Sequence, residues 1–220
     1  MKRMARLAVV GAFLAVINLA MAPAVQAYTV SYGPVSIGST LTDWTGGSLQ
    51  HLTFPQFNPS LGTLTSVTLD LSGGLDTVLT ITNTSPEASN GHAETHMHIF
   101  VTGSGVNTSD IAMYSPNFNY NLLAGGSVNS GTLSQTGTDS DVYTAAALLT
   151  AFTGGSNIVL DASTFTETVL TNNGGNTAAD QVTSANLAGT VTYDYTPEPA
   201  TMALLGLGAV GMWMKKRRSR

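Results

Sequence analysis

The stretch LTSVTLDLSGGLDTVLTI, residues 64–81, carries the clearest structural pattern in the chain. Aliphatic side chains alternate there with Thr, Ser and Asp, which is the period-two pattern of a half-buried β-strand. A glycine pair, Gly73-Gly74, separates two aliphatic runs, and such a pair is typical of a tight turn. The stretch is therefore predicted to form a β-hairpin, with Leu64, Val67, Leu69 and Leu71 before the turn and Leu75, Val78, Leu79 and Ile81 after it.

The composition of this stretch continues outward in both directions. The 220 residues include 31 Thr, 20 Ser, 23 Gly and 14 Asn. Threonine suits a pleated surface, whereas Gly, Asn and Ser favour turns. Alanines followed by leucines predict one helix, Tyr143 to Phe152, ended by Gly154-Gly155. Further strands are predicted at 28–37, 48–54, 92–101, 126–135, 156–170 and 183–195, and a mobile loop at 172–180.

Eight or so short strands with one short helix predict an all-β domain at 28–195. The architecture expected is an antiparallel β-sandwich, Ig-like or jelly-roll-like, with an aliphatic core between two sheets. An N-terminal signal helix and a C-terminal membrane helix are predicted to flank it. Disorder is the alternative for a chain so poor in charge, but the aliphatic alternation is too regular for it.

The charges are divided between the middle and the ends of the chain. All 13 acidic residues lie between Asp43 and Glu198, and all 8 Lys and Arg residues lie outside that range. Nucleic-acid binding is excluded because no cations are available to neutralise phosphates, and a cationic clamp for a phosphorylated substrate is excluded likewise. The absence of cysteine excludes disulfides, thiolate catalysis and Cys-based metal sites.

The first 27 residues have the layout of a secretory signal peptide. Three basic residues precede an apolar run from Leu7 to Ala20, and Val25-Gln26-Ala27 places small residues where a signal peptidase cuts. Cleavage is therefore predicted after Ala27. A retained membrane anchor is the alternative.

The last 25 residues, 196–220, have the reverse order. Pro197-Glu198-Pro199 precedes an apolar run from Met202 to Met214, which is short for a bilayer unless flanking residues extend it. The Gly206 to Gly211 pattern resembles a dinucleotide-binding turn, but too few residues follow it for that fold. A basic cluster that should stay on the cytoplasmic side ends the chain: Lys215, Lys216, Arg217, Arg218 and Arg220.

This tripartite tail closely resembles the PEP-CTERM sorting signal of exported proteins in Gram-negative bacteria that make extracellular polysaccharide. The resemblance implies that Pro197, Glu198 and Pro199 are recognised by an exosortase, an integral-membrane cysteine protease. The implied partners are therefore signal peptidase, exosortase and, transiently, the inner membrane.

A second resemblance covers most of 48–195. The segment Phe54 to Leu64 is similar to the signature of choice-of-anchor E domains, with Asn58 where that pattern usually has Asp. Val67 to Pro86, Tyr143 to Thr153 and Gly189 to Tyr195 continue the similarity. It implies a bacterial surface domain without established catalysis.

The segment His92-Ala93-Glu94-Thr95-His96-Met97-His98 concentrates the candidate chemistry. As a strand, it places His92, Glu94, His96 and His98 on one face and Ala93, Thr95, Met97 and Ile99 on the core face. A solvated polar face is the simplest interpretation. One alternative is a Zn or Cu site shared by His96 and His98, with a third ligand from a neighbouring strand. The other is a pH-sensitive interface that strengthens as the histidines gain protons.

Other signals for chemistry are weaker. Asp139-Ser140-Asp141 offers oxygen ligands for Ca²⁺, although turn and helix-capping roles fit it better. No pair of carboxylates is singled out for glycosidase chemistry, and no G-x-S-x-G elbow occurs. Exposed aromatic residues can stack on sugar rings, but we expect the candidates here to pack in the core. They are Trp44, Tyr114, Tyr120 and Tyr143.

The sequence therefore predicts a non-enzymatic, exported surface or extracellular-matrix protein. Its role is expected to be structural or adhesive, linked to exopolysaccharide and biofilm. The alternative is an extracellular module that binds a metal or a glycan through the strand bearing His92, His96 and His98. An exported glycan hydrolase is a third and weaker alternative.

Overall fold

A computed structural model of the chain describes residues 27–107 and 110–198. The predicted signal and membrane helices, Pro199 and the basic cluster lie outside these residues. The chain divides into two compact units, of which the larger comprises 29–59 and 64–194 and contains the β-domain. In the smaller unit, the rings of Tyr28 and Tyr195 lie 6.1 Å apart. No helix in the described ranges is long and apolar enough to cross a bilayer.

The larger unit is built from two antiparallel sheets, which confirms the all-β prediction. Sheet A has the strand order β1-β10-β3-β8, with β1 Tyr28–Leu41, β3 Thr63–Asn83, β8 Ser127–Tyr143 and β10 Thr177–Thr196. Sheet B has the order β2-β9-β4-β5, and β6 and β7 also pair with β4. Its strands are β2 Gln50–Pro55, β4 Ser89–Gly103, β5 Val106–Asn107, β6 Ile111–Tyr114, β7 Phe118–Leu122 and β9 Asn157–Gly174.

The predicted strands all exist, most of them longer than their sequence patterns indicated. The predicted helix forms as α1, Ala146–Phe152, and starts three residues later than expected. The predicted loop at 172–180 is wrong, because β9 runs to Gly174 and β10 begins at Thr177. The reversal is made by a two-residue connection after Gly174, whose φ of 97° favours glycine.

The predicted hairpin at Gly73-Gly74 is also wrong. Strand β3 is continuous over 21 residues, and Gly73 pairs with Gly137 of β8. A Cβ atom on Gly73 would lie 3.0 Å from Cδ1 of Ile99 and 3.2 Å from Cε of Met113, both in sheet B. The glycine therefore lets the two sheets approach each other instead of turning the chain.

Alternating aliphatic side chains from both sheets meet in one core. Fully buried members include Leu69 and Leu75 of β3, Met97 and Ile99 of β4, and Leu160 of β9. The core also contains buried hydroxyls: Thr77 of β3 hydrogen-bonds Thr95 of β4 at 3.1 Å and Thr183 of β10 at 2.8 Å. Besides favouring the strand conformation, these threonines link the two sheets by hydrogen bonds inside the core.

Asn83, at the end of β3, is a buried polar junction. Its Nδ2 donates to the carbonyl oxygens of Glu87 at 2.7 Å and Leu123 at 3.1 Å, while its Oδ1 accepts from the backbone N–H of Ser85 at 3.0 Å. The amide therefore closes the connection that follows β3. An isosteric acid could not make these donor contacts.

Tyr193 plays a similar part at the other end of the core. Its hydroxyl donates to the carbonyl oxygen of Pro55 at 2.8 Å, and its ring meets Phe57 and Phe152 edge-on at 5.9 and 6.2 Å. Burial, with a smaller contribution from Tyr32, raises the pKa of the Tyr193 phenol well above its usual value. The folded state therefore favours the neutral phenol.

Candidate functional site: the histidine face

All four histidines of the chain lie on the outward side of sheet B, here named the histidine face. His92, His96 and His98 alternate along β4 with buried Ala93, Thr95, Met97 and Ile99, which confirms the predicted division of the strand. His51 projects from β2, next to Asp161 of β9. Strand β4 is hydrogen-bonded to β9 on one side and to β6 and β7 on the other, so its position in the sheet is fixed.

His96 lies between two carboxylates. Its Nε2 is 2.9 Å from Oε1 of Glu94, and its Nδ1 is 3.4 Å from Oε1 of Glu167, its cross-strand partner in β9. The ring also meets Tyr114 edge-on at 4.5 Å. A neutral imidazole has one N–H and donates to one carboxylate, whereas the imidazolium donates to both.

Two further histidines each contact one acid. Nδ1 of His98 hydrogen-bonds Oδ2 of Asp110, and Nδ1 of His51 lies 2.8 Å from Oδ1 of Asp161. Four carboxylates therefore accompany the four histidines on this face, counting Glu94 and Glu167. With neutral imidazoles the face is strongly anionic, and no Lys or Arg between residues 28 and 198 offsets that charge.

Three exposed aromatic rings surround His98. The ring of Phe100 lies parallel to the imidazole with centroids 6.1 Å apart, while Phe165 and Tyr114 lie at 6.3 and 6.4 Å. Phe100, Tyr114 and Phe165 are 37%, 50% and 54% exposed. They come from β4, β6 and β9, and are here named the aromatic cluster. Exposed apolar groups gathered within a polar surface are typical of a binding site.

The predicted metal ligands occupy the expected face but do not converge. Within residues 27–107 and 110–198, no group of three His, Asp or Glu side chains is placed to hold a metal ion. Both nitrogens of His96 and Nδ1 of His98 are directed at carboxylates instead. The Zn or Cu site shared by His96 and His98 stays a prediction.

The segment Asp139-Ser140-Asp141 lies within a paired strand, so its predicted turn or capping role is wrong. It belongs to β8 and pairs with residues 69–71 of β3. The Ser140 hydroxyl donates to Asp70 at 2.6 Å, and the Tyr143 hydroxyl donates to Asp141 at 3.2 Å. Calcium binding there stays a prediction.

The sugar-stacking candidates are divided by their exposure. Trp44 and Tyr120 are buried, with 2% and 6% exposed, and Tyr143 is half-buried, whereas Tyr114 is open to solvent. Sequence reasoning missed Phe100 and Phe165. Phe100 continues the alternation of the histidines along β4 and was detectable, whereas Phe165 required the register that sets it opposite His98.

Comparison with known proteins identifies the C-terminal tail. Residues 196–218 match the PEP-CTERM protein-sorting motif. The tail is an exosortase sorting signal. The protein is therefore exported, directed to the cell surface and processed by an exosortase. No curated protein matches the chain.

Two solved structures show distant likenesses to this chain. A T13 particle of infectious bursal disease virus is 14% identical, with 80% of this chain and 40% of that chain covered and a TM-score of 0.16. The CBM2 module of the evolved Dit protein of Lactobacillus casei BL23 phage J-1 is 9% identical, with 67% and 68% covered and a TM-score of 0.18. The chain thus spans about two fifths of the viral chain, and likenesses this weak carry no functional argument.

Proposed function

We propose that the protein is a non-catalytic structural or adhesive component of the cell surface or extracellular matrix of a Gram-negative bacterium. The PEP-CTERM motif at 196–218 is the observation that carries this proposal, because it directs the protein out of the cell. The anionic β-sandwich that precedes the motif supports it. The resemblance to choice-of-anchor E domains points the same way.

The exported domain would reach its destination in stages. Signal peptidase cuts after Ala27, the apolar tail holds the protein briefly in the inner membrane, and exosortase acts near Pro197-Glu198-Pro199. The domain is then released or attached within extracellular polysaccharide. On the histidine face, four carboxylates contact imidazoles: those of Glu94, Asp110, Asp161 and Glu167. This pairing favours binding over carboxylate catalysis.

The intact mass of the protein from each fraction of its native host tests the sorting half of the proposal. A species that begins at Tyr28 and ends near Pro197, outside the inner membrane, is expected. Undigested protein is required because no Lys or Arg lies between Arg6 and Lys215, which leaves trypsin nothing to cut. A species that retains 202–220 in the inner membrane would contradict the proposal.

A matched pair of variants separates sorting from folding. Substituting Ala for both Pro197 and Pro199 should leave the tail uncleaved and keep the protein in the inner membrane. Pro86→Ala removes an exposed proline far from the tail in sequence and should leave processing unchanged.

The structural or adhesive half of the proposal is tested by co-fractionation of the processed protein with matrix polymer. A freely soluble protein would count against it.

A further inference from the structure

We propose that the aromatic cluster and the carboxylates of the histidine face bind a polysaccharide that carries primary amines, such as a de-N-acetylated hexosamine polymer. The proposal rests on the proposed function and deepens it, because it names the class of matrix polymer. Its elements are the exposed rings of Phe100, Tyr114 and Phe165 and the neighbouring acids Glu94 and Glu167.

The exposed aromatic rings are concentrated on this face. Among the large hydrophobic residues exposed in the described ranges, four are aromatic, and three of these form the aromatic cluster. Their ring centroids all lie within 6.4 Å of the His98 ring. Rings that are held by three strands are preorganised, so little side-chain entropy remains to be lost on binding.

The charge of the face selects the partner. Aromatic faces attract ligand cations within about 6 Å of the ring centre, and carboxylates accept charge-assisted hydrogen bonds from ammonium groups. Glu167 is half exposed, with 52% of its side chain accessible, and Glu94 lies two residues before His96 on the same face. Because residues 28–198 contain no Lys or Arg, an acidic polysaccharide would find no fixed cation.

The length of the face fits a polymer better than a single small cation. From Glu94 to Phe100, β4 extends for about 20 Å at roughly 3.4 Å per residue. Phe100 and Phe165 lie at or beyond His98, whereas Tyr114 lies opposite His96, beside the carboxylates that flank it. A chain of sugar rings with amines can therefore contact both groups at once.

The test compares two soluble hexamers that differ only in their amines. Hexamers of glucosamine and of N-acetylglucosamine are titrated by calorimetry into the full chain, purified in a non-ionic detergent. The glucosamine hexamer is expected to bind at least about tenfold more tightly. Added salt should weaken this binding, because the carboxylates and the ammonium groups that attract each other are exposed to solvent. Equal affinity for the two hexamers would overturn amine recognition.

Matched variants locate the site. Phe100→Ala and Phe165→Ala are each expected to weaken binding of the glucosamine hexamer by about two- to fivefold, whereas Val182→Ala, which changes an exposed residue of β10, should leave it unchanged. Glu167→Gln should weaken binding, whereas Asp180→Asn should not. Equal losses for both charge variants, with no loss for the ring variants, would assign binding to the overall charge and overturn the site.

The outcomes also separate this inference from the proposed function. A protein that co-fractionates with matrix but binds neither hexamer leaves the proposed function standing and overturns the inference. A protein that binds the glucosamine hexamer through Phe100 and Phe165 but is absent from matrix supports the site and contradicts the matrix role. Binding of polylysine that survives the ring substitutions would indicate a basic protein as partner and overturn the inference.

Discussion

Gly91 is the position where a single added carbon should do most damage to the strand that carries the histidines. It immediately precedes His92, and it pairs with Asn172 of β9 on one side and with Tyr120 of β7 on the other. The Tyr120 hydroxyl donates to the carbonyl oxygen of Thr171 at 3.1 Å, directly beside the glycine. We therefore expect Gly91→Ala to loosen this end of sheet B.

The magnitude follows from the contacts of the added methyl group. Its carbon would lie 1.9 Å from the Thr171 carbonyl oxygen and 2.7 Å from the Tyr120 hydroxyl. The first neighbour is backbone, so the strand itself must shift. Overpacking of this kind costs about 1–3 kcal/mol, and loss of the Tyr120 hydrogen bond adds about 1 kcal/mol. We expect the free energy of unfolding to fall by about 2–4 kcal/mol.

Gly38→Ala is the matched control, because a Cβ atom at Gly38 of β1 would meet nothing within 4 Å. It should leave stability unchanged or raise it by about 0.5 kcal/mol, since alanine restricts the unfolded chain. Urea unfolding followed by far-UV circular dichroism measures both variants. For a domain of this size, Gly91→Ala should lower the Tm by about 5–15 °C. If Gly91→Ala and Gly38→Ala unfold at the same urea concentration, the predicted clash at Gly91 is wrong.

Three further predictions concern buried polar groups and metal binding. Asn83→Asp should cost about 3 kcal/mol or more at pH 7 in urea unfolding, because a carboxylate would face backbone carbonyls, and the loss should shrink at pH 4. Tyr193→Phe should cost about 1 kcal/mol at pH 7. Since the folded state raises the pKa of Tyr193, stability should fall as the pH rises above about 10, where the unfolded phenol ionises first, and this alkaline loss should be smaller in the variant. Zn²⁺ titration tests the metal alternative: binding lost in His96→Ala and in His98→Ala but kept in His51→Ala supports it, and no binding by the parent chain refutes it.

The alternation of apolar and polar residues predicted the part of the histidine face that lies on β4, but not the parts on other strands. Alternation places His92, His96 and His98 on one side of β4, because successive side chains of any strand point to opposite faces. The pattern does not show which strands are neighbours. The contacts of His96 with Glu167 and of His98 with Phe165 depend on the register of β4 with β9, which joins residues some 70 positions apart.

Two errors of sequence reasoning share one cause. Gly73-Gly74 and Asp139-Ser140-Asp141 both have the composition of turns, yet both lie within long paired strands. Turn propensity is a local preference worth little free energy, and the hydrogen-bond ladder of sheet A overrides it. Gly73 does not turn the chain. It leaves room for Ile99 and Met113 of sheet B, which occupy the space that a side chain would fill.

Export, charge and strand content could be predicted without any knowledge of the fold. The signal-like start, the sorting tail and the absence of Lys and Arg from the middle are linear features, and alternation is visible without a fold. The site, in contrast, depends on how the strands pair. His51, His98, Tyr114 and Phe165 come from four strands, and their assembly on one face requires a pairing order that is set by the packing of the two sheets as a whole.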